Sequence, residues 1–293
     1  MSDYMKIFDP PLVPEPAPLE PLADRSAVES YVYEEGLVLA VNVALATRRP
    51  LLVRGRPGTG KSSLARNVAM HLRWRFYPRT VSSRTRAQDL LWEVDEVARL
   101  SDASAHQARP RREYLIPGVL WWAYSPVTAA EHRRVDPNEG AEDENAVVLL
   151  DEIDKAEPDV PNDLLEPLGL YRFRTDEGDL VEAASAPLVV LTTNEERDLP
   201  KAFLRRCVVY SLPMPTHTRL RQIAAVRFGP DAVLYRQVTD VFGPETGGPA
   251  DVSVAEYLDA VAAARKLGVR PGHPLWEAVL ESTTSKQPAL ELR

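Results

Sequence analysis

Short apolar runs separated by longer polar stretches organise the chain from residue 51 to residue 212. Leu51-Leu52-Val53, Val147–Leu150, Leu188–Leu191 and Val208–Leu212 are β-branched or leucine-rich, and Phe76–Val81 is a fifth, weaker run. Runs unbroken by polar residues suit strands covered on both faces, as in a parallel sheet flanked by helices. Between the runs the period changes. Leu64, Val68 and Leu72 recur every four residues, which predicts a helix with one buried stripe. Leu37–Leu45 is almost wholly apolar and predicts a buried helix rather than an amphipathic one, ended by Arg48-Arg49-Pro50. After Pro213 and Pro215 the strand-like runs stop. Thr218–Phe228, Ala232–Phe242 and Val254–Leu267 read as helices, Pro274–Ser282 as a closing helix, and Gly243–Pro249 as a loop.

The expected fold class is therefore α/β. A parallel five-stranded sheet covered by helices occupies residues 26–213, and a small all-α module follows over 214–293. Residues 1–25 carry Pro10, Pro11, Pro14, Pro16, Pro18 and Pro21. Proline joins neither a helix interior nor a sheet ladder, so this segment reads as an extended arm that adds little core. It lies on the domain surface or on a neighbour, or docks a partner as a peptide.

Composition narrows the class without naming a chemistry. The 293 residues are 44% hydrophobic and 27% charged, ordinary for a globular protein with a real core. The net charge is −8 and there is no long basic run, which argues against nonspecific nucleic-acid binding. A single cysteine, Cys207, rules out an internal disulfide and reads as a small buried apolar residue. Asp3, Asp9 and the prolines do not make a signal peptide. The apolar stretches Gly36–Ala46 and Leu115–Tyr124 fall short of the roughly 18 residues a membrane span needs. A cytoplasmic protein with no membrane partner is expected.

The glycines change the picture. Gly55-Arg56-Pro57-Gly58-Thr59-Gly60-Lys61-Ser62 matches the Walker A pattern, between a predicted strand and a predicted helix. Glycines let backbone N–H groups converge on phosphate oxygens, and the helix that follows presents its positive end to the same anion. Gly55, Pro57, Gly58, Thr59, Gly60, Lys61, Ser62 and Ser63 are the candidate nucleotide-binding residues. Lys61 is suited to the β- and γ-phosphates, and the Ser62 hydroxyl to Mg²⁺. Val147–Leu150 runs into Asp151-Glu152, the look of a Walker B strand. Strand ends are where α/β sheets hold ligands. Asp151 is the second candidate Mg²⁺ ligand, acting through water, and Glu152 the candidate general base. Asp154 and Lys155 read as part of the following turn. Asn194 ends the Leu188–Thr193 run, where an amide suits a water and the γ-phosphate, or simply a turn. Arg205 and Arg206 precede the last run, where they are surface charges or an arginine finger for a neighbour's γ-phosphate.

These segments together resemble the MoxR-type AAA+ ATPases over about residues 27–260. The resemblance is carried by Arg48-Arg49-Pro50-Leu51-Leu52-Val53, by Leu149-Leu150-Asp151-Glu152-Ile153-Asp154-Lys155-Ala156, and by Leu191-Thr192-Thr193-Asn194-Glu195 with Leu199-Pro200 through Arg206-Cys207. It implies an AAA+ core with a helical lid, ATP and Mg²⁺ as cofactors, and a ring, commonly a hexamer, with ATP between subunits. It implies chaperone-like remodelling of a protein client, often one with a von Willebrand A domain. It aligns Asn194 with sensor 1 and Arg206, then Arg205, with the arginine finger. Thr80–Trp122 fits the helix-2 insertion of that clade. Arg109, Arg111 and Arg112 cluster there ahead of Tyr114, Trp121 and Trp122. The cluster suits a grip on nucleic acid or peptide, or an aromatic core with a solvated basic edge, and we take the second. Val135–Asn145 is acidic and reads as an exposed loop. The sequence departs from the family at Pro249-Ala250-Asp251-Val252-Ser253, where a basic sensor 2 is often found. Arg265 is the nearest substitute, off the matching position.

Three functions compete: a ring ATPase that remodels a protein, a DNA-directed motor, and a small-molecule kinase. The first is favoured. A kinase needs neither the Arg-Arg pair nor a helical lid, and Lys61, Asp151 and Glu152 argue against a dead nucleotide switch.

Overall fold

The computed structural model describes residues 4–15, 31–132, 138, 145–242 and 252–284. They fall into two compact units. The first is drawn from residues 1–9, 36–54 and 68–211, and the second from residues 10–35, 55–67 and 212–293.

The first unit is built on a five-stranded parallel sheet. Its strands are β1 (Leu51–Arg54), β2 (Arg75–Thr80), β5 (Ala146–Asp151), β8 (Leu188–Thr193) and β9 (Val208–Ser211), in the order β2-β5-β8-β1-β9. The apolar runs account for the centre: β8 is buried along its whole length, and so are the first five residues of β5. The weak fifth run forms the edge strand β2, where only Tyr77 is buried. An edge strand tolerates Pro78, and exposure dilutes its apolar pattern. Asn138 closes this edge with an amide mimic of a strand: its Oδ1 accepts from Phe76 N–H and its Nδ2 donates to Phe76 O, each at 2.9 Å.

Between β2 and β5 the chain forms α3 (Ala87–Leu91), strand β3 (Trp92–Val94), α4 (Glu96–Ser104), strand β4 (Leu115–Pro117), α5 (Val119–Tyr124) and α6 (Pro126–His132). Strands β3 and β4 pair antiparallel. Past β5 come α7 (Val160–Asp163) and α8 (Leu165–Leu170), then a second hairpin of β6 (Arg172–Arg174) and β7 (Leu180–Glu182). Trp92 of one hairpin stacks on Phe173 of the other, ring centroids 5.5 Å apart. Tyr114, Trp121 and Trp122 are buried, and Trp121 Nε1 donates to Thr128 Oγ1. Arg109 pairs with Asp102 and Glu113, and Arg111 with Asp176 and Glu177. This segment has an aromatic core with a basic edge; Arg109 is answered within it, and Arg111 by the β6–β7 hairpin.

Helix α1 (Glu35–Thr47) carries the first corrections. It buries Leu37, Val38, Ala40, Val41, Asn42 and Ala44, yet leaves Leu39 and Val43 exposed, so it is not sheathed all round. Asn42 is polar and buried because the N-terminal arm answers it. Its Oδ1 accepts from Ile7 and Phe8 N–H at 2.7 and 2.9 Å, and its Nδ2 donates to Phe8 O at 2.7 Å. Phe8 is fully buried, its ring edge-on to His71. The arm therefore contributes core at Phe8, against the expectation that it adds little. Pro16, Pro18 and Pro21 lie outside the described residues.

In the second unit α10 (His217–Phe228), α11 (Ala232–Val241), α12 (Val254–Lys266) and α13 (Trp276–Thr284) follow one another after α9 (Lys201–Leu204) and β9. Leu220, Leu234, Tyr235, Val238, Tyr257 and Val261 form their shared core. Thr216, Asp231 and Ser253 cap three of the helices with side-chain oxygens, satisfying N–H groups that a helix start leaves unpaired. The loop expected at Gly243–Pro249 lies outside the described residues.

Candidate functional site

Candidate residues fall into three groups, each held by its own elements. The first is the glycine loop, which follows β1 directly and opens α2 (Lys61–Leu72). Gly58 and Gly60 have φ of +74° and +94°, values that side-chain-bearing residues rarely adopt. A Cβ at Gly58 would stand 2.7 Å from the Ser253 side chain, and one at Gly55 2.8 Å from the Leu212 carbonyl oxygen. One at Gly60 would meet the Tyr31 ring at 3.5 Å. Lys61 is buried, its Nζ donating to the Gly55 and Arg56 carbonyls at 2.7 and 2.8 Å. Thr59 Oγ1 donates to Arg56 O at 2.9 Å. Ser62 and Ser63 are exposed on the first turn of α2, and Pro57 is exposed in the loop.

Helix α12 meets this loop at its N-terminus. Ser253 and Glu256 form a capping box, each side chain accepting from the other's backbone N–H. The Ala255 N–H, one of the donors the helix start leaves over, goes to Gly58 O at 3.3 Å. Of the segment expected to carry sensor 2, Pro249, Ala250 and Asp251 lie outside the described residues. Arg265 is not the substitute. Its guanidinium donates to Phe228 O at 2.6 Å and Tyr235 Oη at 3.0 Å, bracing the helices of the second unit against each other.

The second group sits at the C-terminal ends of β5 and β8. Asp151 Oδ1 accepts from Thr192 Oγ1 at 2.5 Å, and the same Thr192 oxygen accepts from Glu152 N–H at 2.9 Å. Glu152 leaves the strand with φ +62°, in the left-handed region, where strain is typical of functional positions. Its carboxylate is engaged on both oxygens, Oε1 by Asn194 Nδ2 at 3.1 Å and Oε2 by Lys155 Nζ at 2.7 Å. That hydrogen bond holds the Lys155 ammonium above the usual lysine range. Asp154 is buried, and its Oδ2 accepts from the N–H groups of Asn194 and Glu196 at 3.2 and 3.0 Å. Asp154 Oδ1 is buried with no partner among the described residues. Asp154 and Lys155 are indeed in a turn, Ile153–Lys155, but neither is idle there: one fixes the backbone of Asn194, the other the carboxylate of Glu152.

The third group is Arg205 and Arg206, both exposed in the turn between α9 and β9. Neither guanidinium has a hydrogen bond or ion pair among the described residues. Register fixes where this turn lies. Val208 is level with Leu51 and Ser211 with Arg54, which is level with Thr193. Arg205 and Arg206 therefore stand at the N-terminal edge of the sheet, and Asp151, Glu152 and Asn194 at its C-terminal edge. Cys207 beside them is buried, and burial pushes its thiol up to about 12, which makes it no nucleophile.

Reading the sequence alone missed Thr192, Asp154 and Lys155. Thr192 had a usable signal: a hydroxyl in a fully buried strand needs a partner. The other two carried none, because their partners are remote backbone groups or a neighbouring carboxylate.

The donor set fits a magnesium nucleotide. Positive-φ glycines keep side chains away from the loop's backbone N–H groups, and Mg²⁺ takes a hydroxyl and one or two carboxylates together with phosphate oxygens. Among the described residues, no helix is long and apolar enough to cross a membrane.

Residues 50–207 match the family model described as AAA domain (dynein-related subfamily). A search of curated proteins gives no match. Among solved structures the chain is similar to RuvB of Thermotoga maritima. One point mutant is 13% identical, with 88% of this chain and 71% of that one covered, at a TM-score of 0.48. A second mutant is 15% identical, with 84% and 66% covered, at a TM-score of 0.46. The structure described as the RuvB Holliday junction branch migration motor is 14% identical, with 85% and 66% covered, at 0.45.

Proposed function

The chain belongs to the AAA domain family, dynein-related subfamily, and from that premise we propose that it is a MoxR-type ring ATPase that remodels or activates a protein partner. That it is an ATPase of the AAA+ class follows from the family; the ring, the client and the residue roles are our reading. Lys61 and the loop N–H groups hold the phosphates, and Ser62 and Asp151 hold Mg²⁺, which supplies charge neutralisation on the β- and γ-phosphates when bound. Glu152 takes the proton of the attacking water, with Asn194 fixing its carboxylate. Residues 26–213 act as the ATPase core and 214–293 as its lid.

The observation that carries the ring is the separation of Arg205–Arg206 from Glu152 across the sheet. Val208 and Ser211 are level with Leu51 and Arg54 at opposite ends of β1, and β8 and β1 lie between β5 and β9. At about 3.3 Å per residue and about 4.8 Å per strand, an arginine side chain does not span that diagonal. Two exposed guanidiniums without partners among the described residues, unable to serve their own Glu152, suit the site of an adjacent subunit in a head-to-tail ring.

Mixing tests this. Arg206→Ala and Glu152→Gln proteins should each be nearly inactive, yet form mixed rings by sizing. With random mixing, roughly a quarter of interfaces pair an intact Glu152 with an intact Arg206, so turnover should exceed the sum of the parts. Mixed rings without recovered turnover would count against a shared site at Arg206, and repeating the mix with Arg205→Ala assigns the finger between the two. For the client, turnover stimulated by a von Willebrand A domain protein supports remodelling, while stimulation by duplex DNA alone would overturn it. The internal pairing of Arg109 and Arg111 supports the protein client.

A further inference from the structure

Arg49 does something in this structure that the reaction described so far does not use. It sits between α1 and β1, far in sequence from α9 but beside it in space because β1 pairs with β9, and its guanidinium is spent on one turn. Nε donates to Arg206 O at 3.1 Å, and Nη2 donates to Cys207 O at 2.9 Å and to Arg205 O. Those carbonyls belong to the C-cap of α9 and the two residues after it, since α9 ends at Leu204. A cation there also complements the negative end of the helix. Only the planar fork of arginine reaches several acceptors from one rigid group; a lysine ammonium is a single point on a flexible stem.

The anchor itself is held. Arg49 N–H returns to Ala44 O at 3.1 Å, Pro50 follows with its φ fixed, and Pro50 O accepts from Val208 N–H at 2.8 Å. Tyr171 Oη donates to Arg48 O, pinning the residue before. The turn that carries Arg205 and Arg206 is thus clamped on its main-chain side, while both side chains stay exposed and, among the described residues, unpaired. Main-chain clamping with free side chains is the arrangement that preorganises charge for an acceptor outside the subunit.

We propose that Arg49 is a positioning residue for the arginine finger: it sets the backbone of residues 205–207 so that the exposed guanidinium is presented to the neighbouring subunit's nucleotide. The inference rests on the finger reading above. The Arg49 guanidinium donates only to the turn that carries Arg205 and Arg206, not to the glycine loop or the Glu152 cluster, so its effect belongs to the interface it donates to, not the one it owns.

That distinction gives the test. Arg49→Met should lower kcat by up to about 10²-fold, the cost of a misplaced catalytic group, with ATP affinity unchanged. Arg49→Lys should recover little, because one ammonium does not replace the fork. In mixed rings, Arg49→Met should regain turnover with Glu152→Gln, whose finger is intact, and should not regain it with Arg206→Ala, since both then lack a working finger. Should Arg49→Met fold poorly, Arg49→Lys is mixed in its place. Recovery of the Arg206→Ala and Glu152→Gln pair without recovery of the Arg49 pair overturns the positioning role alone. Recovery in neither overturns it together with the finger reading. Near-wild-type kcat in Arg49→Met also overturns it.

Discussion

Every candidate group of the phosphate loop comes from nine consecutive residues, Gly55 to Ser63. Around Glu152 the groups come from two strands, and Thr192 reaches Glu152 across 40 positions of sequence. The loop fixes its shape by residue type. Positive φ at Gly58 and Gly60, and bonds from Lys61 and Thr59 to carbonyls a few positions away, are all local. The strand-end cluster fixes its shape by partnership. Thr192 joins Asp151 to Glu152, Asp154 holds the backbone of Asn194, and Asn194 with Lys155 holds the Glu152 carboxylate. A local site announces itself as a motif. An assembled site shows its motif residues but conceals what holds them.

The sharpest way to break this comparison is to damage each half once and ask which parameter moves. Glu152→Gln should leave ATP binding intact and slow turnover by about 10²–10⁴-fold, the usual range for a lost general base. Near-normal turnover would remove Glu152 from that role. Lys61→Ala should instead lower ATP affinity by about tenfold to a hundredfold, since a charge-assisted hydrogen bond is worth about 1.5–3 kcal/mol. Titration with a fluorescent ATP analogue reads both. If the two variants moved the same parameter, the halves would not be separable and the division drawn here would be wrong.

The same contrast explains how much was legible in the sequence. The four apolar runs and the weaker fifth are the five strands; β1, β5 and β8 were plainest because continuous burial leaves a continuous apolar record, while the edge strands β2 and β9 are less buried. The helices of the second unit fall close to the ranges expected, His217–Phe228 for Thr218–Phe228 and Val254–Lys266 for Val254–Leu267. Legibility failed where a residue answers a distant group. Phe8 lies in a proline-rich stretch that looks solvent-facing, yet it is fully buried, and buried Asn42 bonds its backbone on both sides. Arg265 looked available to nucleotide and is occupied by Phe228 O and Tyr235. Neither fact leaves a periodic trace. Phe8→Ala should therefore cost about 3 kcal/mol, at the low end for a buried phenylalanine, seen as a lower midpoint in urea. ATP affinity of the folded protein should hold. A midpoint within error of wild type would return the arm to the solvent-facing reading.

The smallest expected effect is the most diagnostic of an assembled site. Thr192→Val keeps the volume of a strand residue that is fully buried and removes only the hydroxyl. Two bonds go with it. Asp151 loses the Thr192 hydroxyl as a donor, and the Glu152 N–H loses that acceptor at the point where the backbone turns left-handed. An unpaired buried N–H costs about 1–3 kcal/mol, so stability should fall by about that much. A general packing defect would do the same, so stability alone decides nothing. The Glu152 backbone, however, is the last fixed point before its carboxylate. Loosening it should lower kcat by about tenfold, equivalent to about 1.4 kcal/mol in the barrier. ATP binding should stay level, because no loop group depends on Thr192. Thr192→Ser restores the hydroxyl and should restore kcat, even though the missing methyl leaves some instability behind. The matching change in the loop is Thr59→Val, which removes the Thr59 bond to Arg56 O. That change should raise the KM for ATP more than it lowers kcat. If Thr192→Val left kcat untouched while destabilising the protein, the hydroxyl would be part of the sheet's packing, and Glu152 would be held by Asn194 and Lys155 alone.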